Sequence, residues 1–245
     1  MQEQTNMEKV KDIAKMFLYM DVGKTKHSPI VIKHPFADSG ITMVRKETGD
    51  FEMVNLMKEE DLDKWRSYVE KNIMEVGTAF HLYMMITKPY ALVFLDHISE
   101  YLSDNDYASI LSSAWLMSES PNLDPNFSKK RLLALFKRAA PCMLMDEEEY
   151  AKFRNLGDTV TIYRGVTSYN AKNVKALSWT LDEKVAEWFA YRYGEEGIVY
   201  EAQISKEHIY AYFDGRSEAE VIVDPKHLNN ITQRQVVEER MEIIF

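Results

Sequence analysis

The chain has 245 residues, 46% of them hydrophobic and 12% aromatic, enough to bury a sizeable core in one domain, or in one domain with an extension. Charged residues make up 28%, beside too many apolar ones for a disordered chain, and 30 basic against 39 acidic residues give a net charge of −9. That balance disfavours a generic charge-driven binder of DNA or membranes, while leaving room for a local basic groove. Cys142 stands alone, so a disulfide framework and a thiolate zinc cluster are excluded and a reducing compartment is the default.

Residues 6–20 read as a short amphipathic helix, with Val10, Ile13, Ala14, Phe17 and Leu18 on one face. The start carries no basic segment followed by an apolar one, so no export signal is expected. From Ser28 to Leu56 the texture turns to β, and three short runs beginning at Ile30, Ile41 and Phe51 predict a small meander. Helical spacing follows at Leu62, Trp65, Val69, Ile73 and Val76, and again at Leu92, Leu95, Ile98 and Leu102. No run approaches the ~20 apolar residues of a membrane span. A cytoplasmic chain with no membrane contact is expected.

Two more helices are expected over 109–117 and 128–139, the second capped by Ser128, and a further short one begins at Asp146. After Gly157 the alternation of Thr159 to Tyr163, and more clearly of Gly197 to Ile204, predicts strands. Ala219 to Val223 is another, stopped by Asp224-Pro225, and Gln235 to Phe245 suggests a closing strand. Helices first and antiparallel-type strands afterwards argue for an α+β fold. The expected organisation is an extension over 1–59, a helical lobe over 60–156 and a β lobe over 157–245.

Three places offer chemistry. In Tyr163-Arg164-Gly165, an arginine on a strand precedes a glycine that admits close backbone approach, which suits a phosphate or carboxylate. A surface ion pair with a turn explains the same dipeptide. In Ser178-Trp179-Thr180, the two hydroxyl residues share a strand face ahead of a helix. Thr180 with Glu183 also fits a capping box, and Val185, Ala186, Phe189, Ala190 and Tyr193 read as that helix's buried stripe, with Arg192 off it. The third is Glu218-Ala219-Glu220, which on a strand puts two carboxylates on one face, ~6–7 Å apart. Paired carboxylates can divide labour, one stabilising a developing sugar cation and the other reaching a second substrate.

Taken in order, Arg164, Ser178-Trp179-Thr180 and Glu218-Ala219-Glu220 followed by Val-Ile-Val resemble the Arg–Ser–Glu class of mono-ADP-ribosyltransferases, the cholera- and clostridial-toxin-like superfamily. The resemblance lies in residues 160–245. Helices over 60–156 occupy the place of that family's N-terminal helical lobe, and residues 1–59 match nothing in it. Trp179 departs from the family's small central residue and is expected to face the core. The resemblance implies the ADP-ribosyltransferase fold, a helical lobe followed by a split antiparallel β-sandwich, and NAD as co-substrate without a metal.

By the same resemblance, Arg164 would hold the NAD diphosphate and Gly165 would offer backbone groups to the nicotinamide carboxamide. Ser178 would orient the catalytic glutamate, with Thr180 supporting the pocket wall. Phe189 would lie on the nicotinamide, and Arg192 would be a second phosphate-binding arginine. Glu220 would stabilise the charge that develops as nicotinamide leaves, and Glu218 would position the acceptor. Tyr212, Asp214 and Arg216 would belong to the loop that selects it. Glutamate at the first position of the Glu-x-Glu pair implies a protein arginine acceptor, and an intracellular toxin, effector or phage enzyme with an antitoxin or neutralising partner.

Three alternatives stay open. One is transfer to RNA or DNA, with Lys129-Lys130-Arg131, Lys137-Arg138 and Arg216 lining a path for phosphates. Another is NAD hydrolysis, with water as acceptor. The third is an inactive fold serving as an interaction module, docking through residues 1–59. The histidines His27, His34, His81, His97, His208 and His227 lack metal-ligand spacing. Asn122 to Asn126 reads as a turn before the next helix better than as a cation loop.

Overall fold

The computed structural model describes residues 3–26, 28–118, 120–170, 174–192, 194 and 197–236. The chain is α+β and divides into two compact units, 1–119 and 120–245. The boundary expected at 59/60 therefore falls inside the first unit.

In that unit, α1 (Met7–Leu18) is opened by Asn6, whose side chain accepts from Lys9 N at 3.1 Å. It buries Val10, Ala14, Phe17 and Leu18, the spacing of a single helical face. Helices α2 (Glu59–Glu75), α3 (Ala79–Tyr83), α4 (Ala91–Ile98) and α5 (Asp104–Met117) complete the helical part. Their core includes Trp65, Ile73, Leu82, Phe94, Leu95 and Trp115.

The expected meander is in fact two sheets. Strands β1 (Gly23–Lys24), β2 (Val31–His34) and β3 (Ala37–Ser39) form one, and β4 (Ile41–Arg45) with β5 (Phe51–Asn55) forms the other. The break comes at Gly40, whose N–H bonds Ile30 O while its carbonyl accepts from Leu56 N. The β4–β5 hairpin buries Val44 and Val54, and α2 packs against both strands. Ile41, Met43, Phe51 and Met53 remain exposed, with Met43 paired to Met53.

The second unit opens with α6 (Lys129–Arg138), capped as expected by Ser128, whose hydroxyl accepts from Arg131 N at 3.2 Å. Helices α7 (Pro141–Leu144) and α8 (Glu147–Arg154) follow, the latter opened by a reciprocal Asp146–Glu149 capping box. Its strands are β6 (Thr159–Val166), β7 (Ser178–Thr180), β8 (Ile198–Ser205), β9 (Ile209–Phe213), β10 (Glu220–Val223) and β11 (Asn229–Gln235). They form one antiparallel sheet in the order β11-β8-β6-β7-β10-β9.

This sheet has a seam. Strands β6 and β8 pair along their whole length, from Thr159↔Ser205 to Val166↔Ile198, but β6 and β7 meet at the single pair Tyr163↔Thr180. Among the described residues the last strand is β11, and of the strand expected over 235–245, residues 237–245 lie outside the described ones.

Helix α9 (Glu183–Tyr191) connects β7 to β8 and packs on β6 at unusually short range. A Cβ built on Gly165 would stand 2.0 Å from Ala186 O, and one on Gly197 would stand 1.9 Å from Ala190 O. Only residues without a side chain let the helix backbone settle there. Ala186 and Ala190 are the helix residues fully buried, with Val199 and Val236. Val185 and Phe189, expected in the same stripe, are half-buried, and Tyr193 lies outside the described residues.

Candidate functional site

Three residues spread over more than fifty positions meet around the seam. Arg164 on β6 donates from Nη1 to the carbonyl of Ser178 on β7 at 2.6 Å. Ser178 pairs with Ile222 of β10, and Thr180 pairs with both Tyr163 and Glu220. Glu220 is 5% exposed on a strand whose four residues are all buried. Burial pushes the Arg164 guanidinium down to about 10, opposed by the Glu220 carboxylate, so it stays cationic at neutral pH. Its Nε is buried with no hydrogen-bond partner among the described residues.

Thr180 does not cap α9. Asp182 does, accepting from Lys184 N at 2.8 Å. The Thr180 hydroxyl instead donates to Glu218 O at 2.7 Å and accepts from Asp182 N at 3.0 Å. Thr180 thus fixes the backbone that carries the first glutamate. Trp179 is 2% exposed and donates from its indole to Ala176 O at 3.1 Å, so it faces the core.

The glutamate pair is assembled differently from the strand alternation its spacing suggests. Strand β10 begins only at Glu220, because Ala219 sits at φ 43° and Ser217 at φ 55°. Two left-handed non-glycine residues fold the loop back on itself. The carboxylates are gathered by Arg216, whose Nη2 lies 2.8 Å from Glu218 Oε2 and 3.7 Å from Glu220 Oε2.

Asp214 roots that loop. Its carbonyl accepts from Ser217 N at 2.7 Å, and its Oδ1 accepts from Ala219 N at 3.1 Å. Lys152 Nζ donates to its Oδ2 at 2.6 Å, while its own N–H donates to Glu149 at 2.8 Å. The Lys152 hydrogen bond holds the Asp214 carboxyl below the usual range. Tyr212, expected in the acceptor-selecting loop, is 3% exposed on β9, beneath the Lys152 ammonium. It is a core residue that supports the loop root.

Three other expected site residues have different surroundings. Gly165 pairs with Val199 within the sheet, and the approach its missing side chain permits is that of α9. Phe189 rests its Cβ against that glycine and packs edge-to-face on Trp188 at 4.9 Å. Arg192 is exposed, with its guanidinium 5.4 Å from the Trp188 ring and 5.9 Å from the Phe189 ring. Trp188, Phe189 and Arg192 form an aromatic–cation cluster at the end of α9.

Two further residues join the site. Lys129 Nζ donates to Lys175 O at 2.6 Å, and Asn122 Oδ1 accepts from Leu177 N at 2.9 Å. The segment 175–178 is thus gripped by Asn122, Lys129 and Arg164. Burial and the nearby Arg164 charge both lower the Lys129 ammonium. A sequence signal exists for Lys129: the first turn of α6 is entirely basic, against the helix dipole, which asks for an anionic partner. Lys137, which the nucleic-acid alternative would put on a phosphate path, pairs with the buried Asp224 at 2.9 Å.

Chemically, the site offers two cations that feel each other, Arg164 and Lys129, and two carboxylates under one guanidinium. Among the described residues no group of three His, Cys, Asp or Glu side chains is placed to hold a metal ion. His34 is buried between Leu18 O and Phe36 N, His208 and His227 stack at 3.5 Å, and His27 lies outside the described residues. No family model, no curated protein and no solved structure matches this chain.

Proposed function

We propose that the chain is an NAD-dependent mono-ADP-ribosyltransferase that breaks the nicotinamide–ribose bond and passes ADP-ribose to a macromolecule, protein arginine by preference. The observation that carries the proposal is the convergence of Arg164, Ser178 and Glu220 on adjacent strands at the seam. The ADP-ribosyltransferase fold belongs to the same proposal, and the near-independent halves β11-β8-β6 and β7-β10-β9 support it.

The residues fit a dinucleotide diphosphate. Arg164 keeps a buried Nε without a hydrogen-bond partner among the described residues, and Lys129 feels its charge. Two cations held close together are relieved by an anion shared between them. NAD supplies an activated ribosyl group together with its leaving group, nicotinamide. The role of Glu220 is electrostatic: a preorganised, water-poor carboxylate faces the positive charge that develops on the ribose. One such group is worth about 3–4 kcal/mol of barrier. Glu218, more accessible on the loop, receives the acceptor and takes its proton. Ser178 and Thr180 hold the strand and loop that aim the two carboxylates.

The test combines purified protein, NAD labelled in the adenylate, and a bacterial lysate, with Glu220→Gln as control. Label that depends on Glu220 and is lost to protease means a protein acceptor. Label lost only to nuclease means RNA or DNA, and nicotinamide release without label means hydrolysis. No release and no label refutes the proposal.

A further inference from the structure

Arg216 occupies an unusual position for a residue of an acceptor-selecting loop. Its guanidinium already lies on the carboxylate pair, at 2.8 Å from Glu218 and 3.7 Å from Glu220. Exposure rises outward through the three side chains, from 7% at Glu220 through 24% at Glu218 to 41% at Arg216. The guanidinium therefore enters head first from the solvent side, as an arginine from another protein would have to.

The loop allows that entry to be reversed. Its root is pinned by Asp214 through Ser217 N, Ala219 N and Lys152. Its tip is open, since a Cβ on Gly215 would meet nothing within 4 Å. Arg216 can swing outward about this tip while Glu218 and Glu220 stay in place. An incoming guanidinium reaching both carboxylates would take the position of Arg216 Nη2 between Glu218 Oε2 and Glu220 Oε2, so the two compete for it.

We infer that Arg216 is an internal occupant of the acceptor position, a guanidinium latch that an external guanidinium must displace. The inference rests on the proposed function for its meaning, but the exclusion itself is a binding event. In the resting state the latch keeps water and non-guanidinium nucleophiles off Glu218 and Glu220. It thereby selects for acceptors able to compete as a guanidinium.

The experiment titrates agmatine, a monosubstituted guanidine, into the full chain by calorimetry, without NAD. Wild type, Arg216→Ala and Arg216→Ala/Glu218→Gln are compared, each first shown to melt at the wild-type temperature. Arg216→Ala is expected to bind agmatine at least tenfold tighter than wild type, and the added Glu218→Gln to remove that gain. Equal affinity in wild type and Arg216→Ala, binding undetectable in both, or a gain that survives Glu218→Gln overturns the latch. Nicotinamide release from NAD is measured on the same samples. Tighter agmatine binding with no release in any sample keeps the latch and refutes the transferase. Release with unchanged agmatine affinity does the reverse.

Discussion

Gly165→Ala tests the packing on which the site depends. The added Cβ would lie 2.0 Å from Ala186 O, 2.6 Å from Ala190 N and 2.9 Å from Phe189 Cβ. The first two are backbone atoms of α9, so no rotamer change relieves them. An ordinary contact needs about 3.5 Å, so the helix must withdraw by roughly 1.5 Å. Withdrawal opens the cluster of Ala186, Ala190, Val199 and Val236. Overpacking usually costs about 1–3 kcal/mol, and a backbone obstacle puts this case at the upper end, about 3 kcal/mol. At about 2–4 °C per kcal/mol the melting temperature should fall by roughly 10 °C. Thermal unfolding followed by tryptophan fluorescence reads this through Trp179, which is buried in the same unit. Gly215→Ala is the control: its Cβ meets nothing within 4 Å, and its effect should stay within about 0.5 kcal/mol. If Gly165→Ala melted within 2 °C of wild type, or Gly215→Ala fell as far, the close approach of α9 would be refuted.

Glu220→Gln should reduce nicotinamide release at least ~100-fold while the chain stays folded, at a lower melting temperature because the buried Arg164 cation loses a favourable charge, whereas Glu218→Gln should lose transfer more than hydrolysis. Paired kinetic assays check this, and wild-type activity in both variants refutes the site. Buried His34 is held down to about 4 by loss of solvation, against 6.5 unperturbed. The unfolded chain therefore binds the extra proton first, and stability should fall as pH drops from 6.5 towards 4, by about 3 kcal/mol in all. Denaturant unfolding across that range should show the slope in wild type and lose it in His34→Gln. For Asp224, burial raises the carboxyl, but Lys137 and the Lys226 N–H outweigh it and leave it below 3.8. Its contribution is present above the unfolded value and vanishes as pH falls through the folded one. Asp224→Asn should accordingly be less stable than wild type at pH 7, with the gap closing as the pH falls below the ordinary carboxylate range. A gap that stays constant would contradict the ion pair.

Local chemistry was readable where it was decided locally. Ser128 and Asp146 open their helices because a side-chain oxygen satisfies a backbone N–H three residues on. Strands β6 and β8 show in the alternation of their residues because each has one buried face. What stayed hidden depends on distant partners or on rare backbone states. An alanine at φ 43° has no sequence signature, so the Glu-x-Glu pair looks like plain strand when Ala219 in fact turns the chain. Asp214 meets Lys152 across 62 positions, and that partner decides that Tyr212 lies beneath the loop instead of in it. Gly165 was legible as a close approach, but the sequence does not say whether a ligand or a helix comes near. Lys129 was visible as a charge, and only the fold puts it next to Arg164.

The one-pair seam between β6 and β7 has a mechanical consequence. Elsewhere in this sheet, shifting one strand past its neighbour would break a ladder of bonds, as along the whole of β6 and β8. At Tyr163↔Thr180 there is one rung, joined by the Arg164–Ser178 hydrogen bond, which is the geometry of two plates on a narrow hinge. Arg164 is mounted on one plate and Glu220 on the other. A molecule held by both would act as a clasp across the hinge and would stiffen the sheet as a whole.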